Sequence, residues 1–505
     1  MEITQNFRTS VPALMLAMIS LASCSSEEMR DEPIPASKET VKLQFKLGPN
    51  TYTKADDENE VENLFLAFYN SNNGSPTFLQ IEEASPEGGN SYSVELNVIP
   101  PQIPDMVVAF VNIKDKNAIK NALDATNPST INSILSENNN LVMSNTRYFD
   151  SNDKDIYFTT FDYTSQDAIA LDVERVASKV TVSKASDFKS SYKKLKDKDG
   201  NQISLNLTLS GWGTTATDNA SYLIRQVDSF DLESTFPNLN WKDTQNKMLH
   251  WAKSINYDFD FSNTPANVNY ATASDITTQF DNEIYVHEST RPVQNSYALN
   301  SRPSIVLKGF YIKEGKDTPE TFYRYKFTIF SEEELYEFLL NRISNKIKIS
   351  GHNTLTVSDL KDNFELVNLK SLNGKQLPLS YFTLNLKENA EINNFTDSSD
   401  KKFDNIESLN KYLAEICSVV EKFDNGNCFF VIPIEHHKYN NTYLYGLVRN
   451  HFYKISINEI DGLGSGLPDE EVIIEEQPPF DETDSYYNIS FTLNIRDWNE
   501  ISQDV

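Results

Sequence analysis

The sequence predicts a mainly β protein made of two β-sandwich domains in tandem, with a few short helices. Three observations support this class. Short apolar runs of strand length recur along most of the chain, clusters of Asn, Asp and Gly separate them, and 11% of the 505 residues are aromatic. Single cores rarely grow past ~250–300 residues, so a chain of this length is expected to hold more than one domain.

The charge balance excludes two classes of protein. Lys and Arg number 45 against 73 Asp and Glu, which gives a net charge of −28. A general nucleic-acid binder neutralises phosphates with clustered basic residues, so we expect no nucleic-acid partner. Apart from the N-terminus, no apolar run approaches the ~20 residues of a membrane-spanning helix, which excludes a multispanning membrane protein.

The N-terminus has the pattern of an exported lipoprotein. The apolar stretch at residues 11–22 suits a signal-peptide core better than a spanning helix. It ends in Leu21-Ala22-Ser23-Cys24, which resembles a bacterial lipobox, and this predicts lipidation of Cys24. The alternative is an ordinary signal peptide with a chance cysteine. The Ser-Ser-Glu-Glu that follows resembles the acidic tag of surface-exported lipoproteins of Bacteroidota, and residues 25–40 have the composition of a tether.

The first predicted strand is Val41–Leu47. Its polar residues alternate with four apolar ones, and this period of two indicates a strand with one buried face. The apolar residues are Val41, Leu43, Phe45 and Leu47. A polar segment, residues 48–58, follows the strand.

Further apolar runs predict the strands of the first sandwich: Leu64–Tyr69, Met106–Val111, Asp155–Phe158, Ala168–Val173, Lys179–Val182 and Ile203–Leu209. The pattern loosens after Gly211-Trp212, so we expect the domain boundary near residues 212–225. The second strand set is Ser304–Leu307, Phe322–Phe330, Phe429–Ile432, Tyr443–Val448, Tyr453–Ile457 and Ile489–Ile495.

Two helices are predicted within the second domain. Ser331 and Glu334 form a capping box ahead of an apolar stripe that runs from Leu335 to Ile343. Asp404 with Glu407 is expected to open the other helix.

No catalytic or cofactor site is expected. Nucleophile elbows, zinc-protease motifs and phosphate-binding loops are absent from the sequence, so we expect neither enzyme activity nor a cofactor. Glu435-His436-His437 is the densest His cluster, but adjacent side chains on a strand point to opposite faces, so no metal site is expected. Cys417 and Cys428 are separated by ten residues, which leaves two open readings: a disulfide or two free buried thiols.

The C-terminal part carries a family resemblance. The stretch Tyr445–Ile457, with Val448–Lys454 as its most specific part, is followed by Gly462-Leu463-Gly464. Together with the lipobox, Val107–Ile113 with Asn112 and the Gly211-Trp212 region, it resembles the fimbrillin family, the type V pilins of Bacteroidota. Within that family it is most similar to minor-fimbrium (Mfa-type) shaft subunits. The resemblance implies two transthyretin-like β-sandwiches, a lipoprotein precursor, proteolytic maturation and assembly by strand exchange.

The resemblance also implies roles for particular residues. An Arg- or Lys-specific protease would cut between Lys54 and Ala55, or after Arg30 as a weaker candidate. The family usually has Arg at the cut, so Lys54 is a departure that puts the identity of the protease in doubt. The cut would remove the strand of Val41, Leu43, Phe45 and Leu47, and the groove left behind would accept a strand from a neighbouring copy. The donor candidate alternates four apolar residues with polar ones, and the alternative is an internal strand of its own sandwich: Ile489, Phe491, Leu493 and Ile495.

The expected organisation follows from these features. Residues 1–24 are a lipoprotein signal peptide, 25–54 a propeptide, 55–215 the N-terminal sandwich and 216–505 the C-terminal sandwich with its donor strand. We expect a fimbrial shaft subunit that serves adhesion and biofilm formation, exported as an outer-membrane lipoprotein precursor and mature in the surface fimbrium. Its partners would be copies of itself, tip and anchor subunits, the maturation protease, and host or bacterial surface receptors. The alternatives are a tip or anchor subunit, a monomeric glycan-binding lipoprotein and a hydrolase with a scattered site.

Overall fold

The computed structural model describes residues 39–47, 60–71, 76–123, 130–132, 134–135, 140–149, 155–227, 251–259, 267–292, 301–352, 354–372, 374–417, 419–439, 442–466, 473–474 and 489–497. Strands dominate, which confirms the mainly β class with a few short helices. Within these ranges the α-helices are α1 (Lys116–Ala122), α2 (Glu332–Ile343), α3 (Val357–Asn363) and α4 (Ile406–Cys417).

The strands of the first half of the chain are β1 (Glu39–Leu47), β2 (Leu64–Asn70), β3 (Thr77–Glu83), β4 (Ser85–Gly88), β5 (Ser91–Val98), β6 (Met106–Val111), β7 (Thr130–Ile131), β8 (Met143–Asn145), β9 (Tyr148–Phe149), β10 (Asp155–Ile156), β11 (Thr159–Thr160), β12 (Ile169–Leu171), β13 (Val173–Arg175), β14 (Ala177–Lys189), β15 (Ser191–Lys196), β16 (Gln202–Thr215), β17 (Thr217–Asp218) and β18 (Ser221–Tyr222).

The strands of the second half are β19 (Val268–Asn269), β20 (Glu283–His287), β21 (Ser289–Thr290), β22 (Ser304–Lys313), β23 (Phe322–Tyr325), β24 (Thr328–Phe330), β25 (Ile347–Ile349), β26 (Phe364–Asn368), β27 (Ser371–Leu372), β28 (Lys375–Gln376), β29 (Tyr381–Leu386), β30 (Phe395–Asp397), β31 (Val420–Phe423), β32 (Asn427–Pro433), β33 (Glu435–Tyr439), β34 (Thr442–Leu447), β35 (His451–Ile460), β36 (Ser465–Gly466) and β37 (Ile489–Asp497).

The N-terminal sandwich has two facing sheets. One has the strand order β12-β1-β5-β4, and the other has the order β13-β8-β6-β2-β3, with β11 paired to β6. Alternate residues of β1 and β5 point inward onto β2 and β6, and together they form one apolar core. Since β2 and β6 are buried on both faces, they read in the sequence as continuous apolar runs.

The C-terminal sandwich also has two sheets around one core. The smaller sheet has the order β20-β14-β35-β37, with β14 and β35 parallel. The larger sheet has ten strands in the order β26-β29-β31-β23-β24-β15-β16-β22-β32-β36. Its far end, with α2, α3 and α4, extends beyond the sandwich and has a core of its own, so the C-terminal half carries a helical lobe at residues 323–420.

The change from one sandwich to the next comes earlier in the chain than the expected residues 212–225. Val180, Leu205 and Trp212 lie in the C-terminal core, although the sequence places their strands in the first domain. The reason is long-range pairing. β14 pairs with β35 and β16 pairs with β22, and in both pairs the partner residues are at least 89 positions apart. The last strands of the N-terminal sheets are β12 and β13, so the core changes near Val176.

A further core joins the two sandwiches. The outer face of β2 and β6 packs with α1, with the start of β14 and with Leu223 and Ile224. The two sandwiches therefore share a buried apolar contact.

Both predicted helices are present, with one change at a cap. Ser331 and Glu334 form the expected capping box of α2. At α4 the cap is Asn405, whose side chain accepts from the Ser408 backbone N–H at 2.8 Å, and not the expected pair of Asp404 and Glu407. The predicted strand Phe322–Phe330 is in fact the hairpin of β23 and β24, which turns at Lys326 with φ +52°.

Candidate assembly site

The predicted removable strand lies inside a sheet. β1 pairs antiparallel with β5, from Glu39 opposite Val98 to Lys46 opposite Ser91. On its other side it pairs parallel with β12, where Phe45 lies opposite Ile169. Backbone hydrogen bonds on both sides mean that loss of β1 would leave an open slot between β5 and β12.

The inward face of β1 fills the N-terminal core. Leu43, Phe45 and Leu47 are 2%, 0% and 0% exposed, and Val41 packs at the margin. The Phe45 ring meets Phe68 edge to face, with ring centroids 6.0 Å apart. The outward face is polar, and Lys42 forms an exposed ion pair with Glu87 at 2.9 Å. The alternation read from the sequence therefore matches a strand with one fully buried face.

The predicted donor strand lies at a sheet edge. β37 pairs antiparallel with β35 from Ile489 opposite Ile460 to Asp497 opposite His451, and it is the last strand of its sheet. Phe491, Leu493 and Ile495 pack against the C-terminal core but are only partly buried. In this structure β37 is therefore a strand of its own C-terminal sandwich, which is the alternative to the donor role.

The most specific sequence motif, Val448–Lys454, lies at the junction of the two sandwiches. Arg449 is fully buried and donates to Glu288 Oε2 at 2.8 Å from Nη2 and at 3.0 Å from Nε. Its Nη2 also donates to the Tyr222 carbonyl at 2.7 Å. Since Leu223 belongs to the core shared by the two sandwiches, Arg449 holds the segment that packs against the N-terminal sandwich.

The next motif residues complete this contact. Asn450 has a φ of +58°, a left-handed conformation that asparagine tolerates better than most residues. Its backbone N–H donates to the Ala177 carbonyl at 2.7 Å, and its Oδ1 accepts from Arg175 at 3.3 Å. The Tyr453 hydroxyl accepts from the Val448 N–H and contacts His436 Nδ1, both at 2.8 Å. The motif is therefore structural, and its one histidine, His451, is hydrogen-bonded to the Arg449 carbonyl at 2.8 Å.

A second buried ion pair lies beside the first. Arg225 contacts Glu174, and both side chains are almost completely buried. Burial raises the pKa of the Glu174 carboxyl to about 7, against the opposing effect of Arg225. No local sequence pattern marks Glu174, Arg225 or Glu288 as members of buried ion pairs, because their partners lie 51 or more residues away.

The glycines of the Gly211-Trp212 region are explained by a crossing segment. Trp212 is fully buried, and its indole N–H donates to the Gln279 carbonyl at 2.9 Å. A Cβ on Gly211 would meet the Ile276 carbonyl oxygen at 3.3 Å. The chain at residues 275–279 therefore runs directly against β16, which favours a residue without a side chain.

Several predicted residues are not brought into the assembly site. Cys24, Lys54 and Ala55 lie outside the described residues. Cys417 and Cys428 are free buried thiols, so the disulfide reading does not apply to this structure. Cys417 belongs to the core of the helical lobe and Cys428 to the core of the C-terminal sandwich, which keeps the two in separate cores.

Two further features, a metal-ligand cluster and a membrane-spanning helix, are absent from the described part of the chain. His, Cys, Asp and Glu side chains do not gather there into a group of three or more that could hold a metal ion. Among the described helices, none combines the length and apolar character needed to cross a bilayer.

A comparison with solved structures finds proteins that are aligned over most of their length at low similarity. A candidate cell adhesion protein from Parabacteroides distasonis has a TM-score of 0.39 and 11% identity, covering 92% of this chain and 99% of its own. One from Bacteroides eggerthii has a TM-score of 0.33 and 10% identity, covering 92% and 97%. A fimbrial assembly protein from P. distasonis has a TM-score of 0.29 and 11% identity, covering 72% and 100%. No curated protein matches the chain.

A family comparison gives the clearest match. Residues 421–504 match the family described as "Major fimbrial subunit protein type IV, Fimbrillin, C-terminal". The matched range includes the Arg449 motif, β35 and β37, which confirms the resemblance to fimbrillins. The C-terminal part of the chain therefore resembles the C-terminal part of fimbrillins, which supports a structural role as a fimbrial subunit at the cell surface.

Proposed function

We propose that this chain is the shaft subunit of a fimbrium and that its copies polymerise by protease-triggered donor-strand exchange. A cut between Lys54 and Ala55 would release β1, and β37 of a neighbouring copy would take its place. The observation that carries the proposal is the contrast between the two strands. β1 is paired on both sides and buries Leu43, Phe45 and Leu47, whereas β37 has the same alternation at a sheet edge with a partly buried face.

The burial of β1 indicates how much stability the subunit would lose with this strand. Leu43, Phe45 and Leu47 are almost completely buried, and at ~1.5–3 kcal/mol each they contribute roughly 5–9 kcal/mol as an upper bound. That is comparable to the net stability of a whole domain, about 5–15 kcal/mol. A subunit that has lost β1 is therefore expected to bind a replacement strand avidly.

The same comparison gives the direction of exchange. Among the described strands, β37 has β35 as its one hydrogen-bonded neighbour, and its side chains Phe491, Leu493 and Ile495 remain partly exposed. In the slot between β5 and β12 it would have two neighbours and a closed apolar floor. Exchange is thus favourable once the slot is empty and blocked while β1 fills it, which makes the cut the trigger.

Export and adhesion complete the proposal. A lipid on Cys24 would hold the precursor at the outer membrane until the cut. A Lys/Arg-specific protease would make the cut, and tip and anchor subunits would share the fimbrium. The mature fimbrium would serve adhesion to host or bacterial surface receptors and biofilm formation.

The test is maturation of the purified precursor. We would digest it briefly with a Lys/Arg-specific protease, sequence the new N-terminus and run the product unboiled on a denaturing gel. The expected result is an N-terminus at Ala55 and a ladder of detergent-resistant oligomers. Lys54→Gln should remain monomeric, whereas Arg30→Gln should still form the ladder.

A matched pair of donor variants sharpens the test. Leu493→Asp places a charge on the inward face of β37, whereas Asn494→Asp places one on its exposed face. The first should abolish the ladder and the second should keep it. A clean monomer from the cut wild-type protein would overturn the shaft proposal in favour of a tip subunit or a glycan-binding lipoprotein.

A further inference from the structure

We propose that Asn112 is a positioning residue for maturation, which holds the chain directly after the removable segment so that the cut releases β1 without loosening β2. This inference rests on the proposed function. It concerns residues 60–63, which lie between the expected cut and β2.

Asn112 binds this segment from the end of β6. Its side-chain Oδ1 accepts from the Glu62 N–H at 2.8 Å, and its Nδ2 donates to the Glu60 carbonyl at 3.0 Å. Its backbone N–H donates to the Asn63 carbonyl at 3.1 Å. The Ile113 N–H adds a bond to Asn63 Oδ1 at 3.1 Å. Four hydrogen bonds from two adjacent residues thus hold residues 60–63.

Asparagine suits this position for two reasons. Asn112 has a φ of +60°, which asparagine adopts more readily than most residues other than glycine. It is 1% exposed, and its amide is fully used, because Nδ2 also donates to the Leu141 carbonyl at 2.9 Å. Aspartate would keep the acceptor but lose both donors, and glycine would keep the backbone but lose all three side-chain bonds.

The consequence concerns the floor of the slot. Leu64, Leu66 and Phe68 of β2 face β1 across the N-terminal core. When β1 leaves, these side chains lose their cover, and only residues 55–63 remain ahead of β2. Fraying of β2 from its first residue would destroy the surface that a donor strand needs. Asn112 bonds three of the four residues directly before Leu64, so it holds β2 in register while the slot is empty.

The remaining tail supports the same role. After a cut at Lys54, residues 55–59 precede the bonded segment and include Asp56, Asp57 and Glu58. Burying these carboxylates in an apolar slot would be costly, so the tail cannot replace β1. The chain that begins at Ala55 is therefore anchored from residue 60 onward, and its short tail leaves the slot open.

Hydrogen exchange tests the inference. Exchange at residues 60–66 would be measured by mass spectrometry before and after the cut, in the Leu493→Asp background that keeps the cut protein monomeric. Asn112→Gly should accelerate this exchange at least tenfold in the cut protein and much less in the uncut precursor. Asn112→Asp should give an intermediate increase, and it replaces the glycine variant if that fails to fold.

Asn145→Ala is the matched control. Asn145 is another buried asparagine of the same sheet, and it bonds to Ala109 and Tyr157 rather than to residues 60–63. Unchanged exchange in cut Asn112→Gly, or equal acceleration in cut Asn145→Ala, would overturn the inference. The ladder from cut protein without the Leu493 change tests strand exchange separately, so the two claims can fail independently.

Discussion

The Arg449 guanidinium and the Glu288 carboxylate form a buried ion pair, with Nη2 and Oε2 2.8 Å apart and the two side chains 0% and 1% exposed. Arg449 lies two residues before β35, the strand that pairs with β37, and it also bonds the carbonyl oxygens of Tyr222 and Leu223. The pair therefore connects the C-terminal sheet to the segment that packs against the N-terminal sandwich.

Removing one partner of this pair should strongly destabilise the protein. Arg449→Ala would leave Glu288 charged, buried and without its counter-ion, and such losses cost about 3–5 kcal/mol. Lys316→Ala, which removes an exposed partner of Glu320, should cost about 0–1 kcal/mol. Urea unfolding of the precursor would measure both, and similar losses for the two variants would contradict the structural role of the motif.

A core substitution in β1 should matter only before the cut. Phe45→Ala removes a fully buried ring and should destabilise the precursor by about 3–5 kcal/mol, whereas Gln44→Ala on the exposed face should change little. After the cut, Phe45→Ala and wild type should have the same thermal midpoint, because neither product retains β1. A difference that persists after the cut would show that the cleaved strand stays in its slot.

Glu174 should make stability depend on pH. Burial raises its folded pKa to about 7 from an ordinary value of 4.5, so the folded chain keeps a proton that the unfolded chain has lost. The contribution of Glu174 to the free energy of unfolding is therefore fully present below pH 4.5, and it is lost as the pH rises through about 7. Urea unfolding from pH 5 to 7 should show a flatter pH dependence for Glu174→Gln than for wild type. An identical slope would contradict the raised pKa.

Both described cysteines should be inert in the native protein. Burial raises the pKa of the Cys417 thiol to about 12 and that of Cys428 well above its ordinary value. Neither should react with a thiol reagent at pH 8 until the protein is unfolded. Mass spectrometry after alkylation would check this, and a bond between the two that disappears on reduction would contradict the structure.

Local patterns made part of the fold predictable. The alternation in β1 and β37 and the capping box of α2 were readable because each depends on residues two to four positions apart. The capping box of α3, formed by Thr356 and Asp359, offered the same signal and was missed.

Long-range pairing could not be read in this way. β14 joins β35 across about 270 residues, which moved the core boundary to near Val176. The strands that flank β1, and the partners of Arg449, also follow from tertiary pairing alone. The sequence therefore predicted which strands could take part in assembly, and the structure was needed to show which one is enclosed and which lies at an edge.

A cross-link between two copies tests the central claim most directly. With the four apolar residues of β37 in the positions of Val41, Leu43, Phe45 and Leu47, Ser490 of the donor would replace Lys42 and lie opposite Glu95. We would mix Ser490→Cys precursor with Glu95→Cys precursor, cut both with the protease and oxidise. Asn97→Cys and Ser93→Cys would cover a register shift of two residues.

The account predicts a reducible dimer that contains both variants and forms only after the cut. The control is the double variant Ser490→Cys with Glu459→Cys, whose positions face each other within one copy. Its internal bond should form in the precursor and become rare in the oligomers. No mixed dimer at any of the three positions, with the internal bond still forming after the cut, would contradict strand exchange through β37.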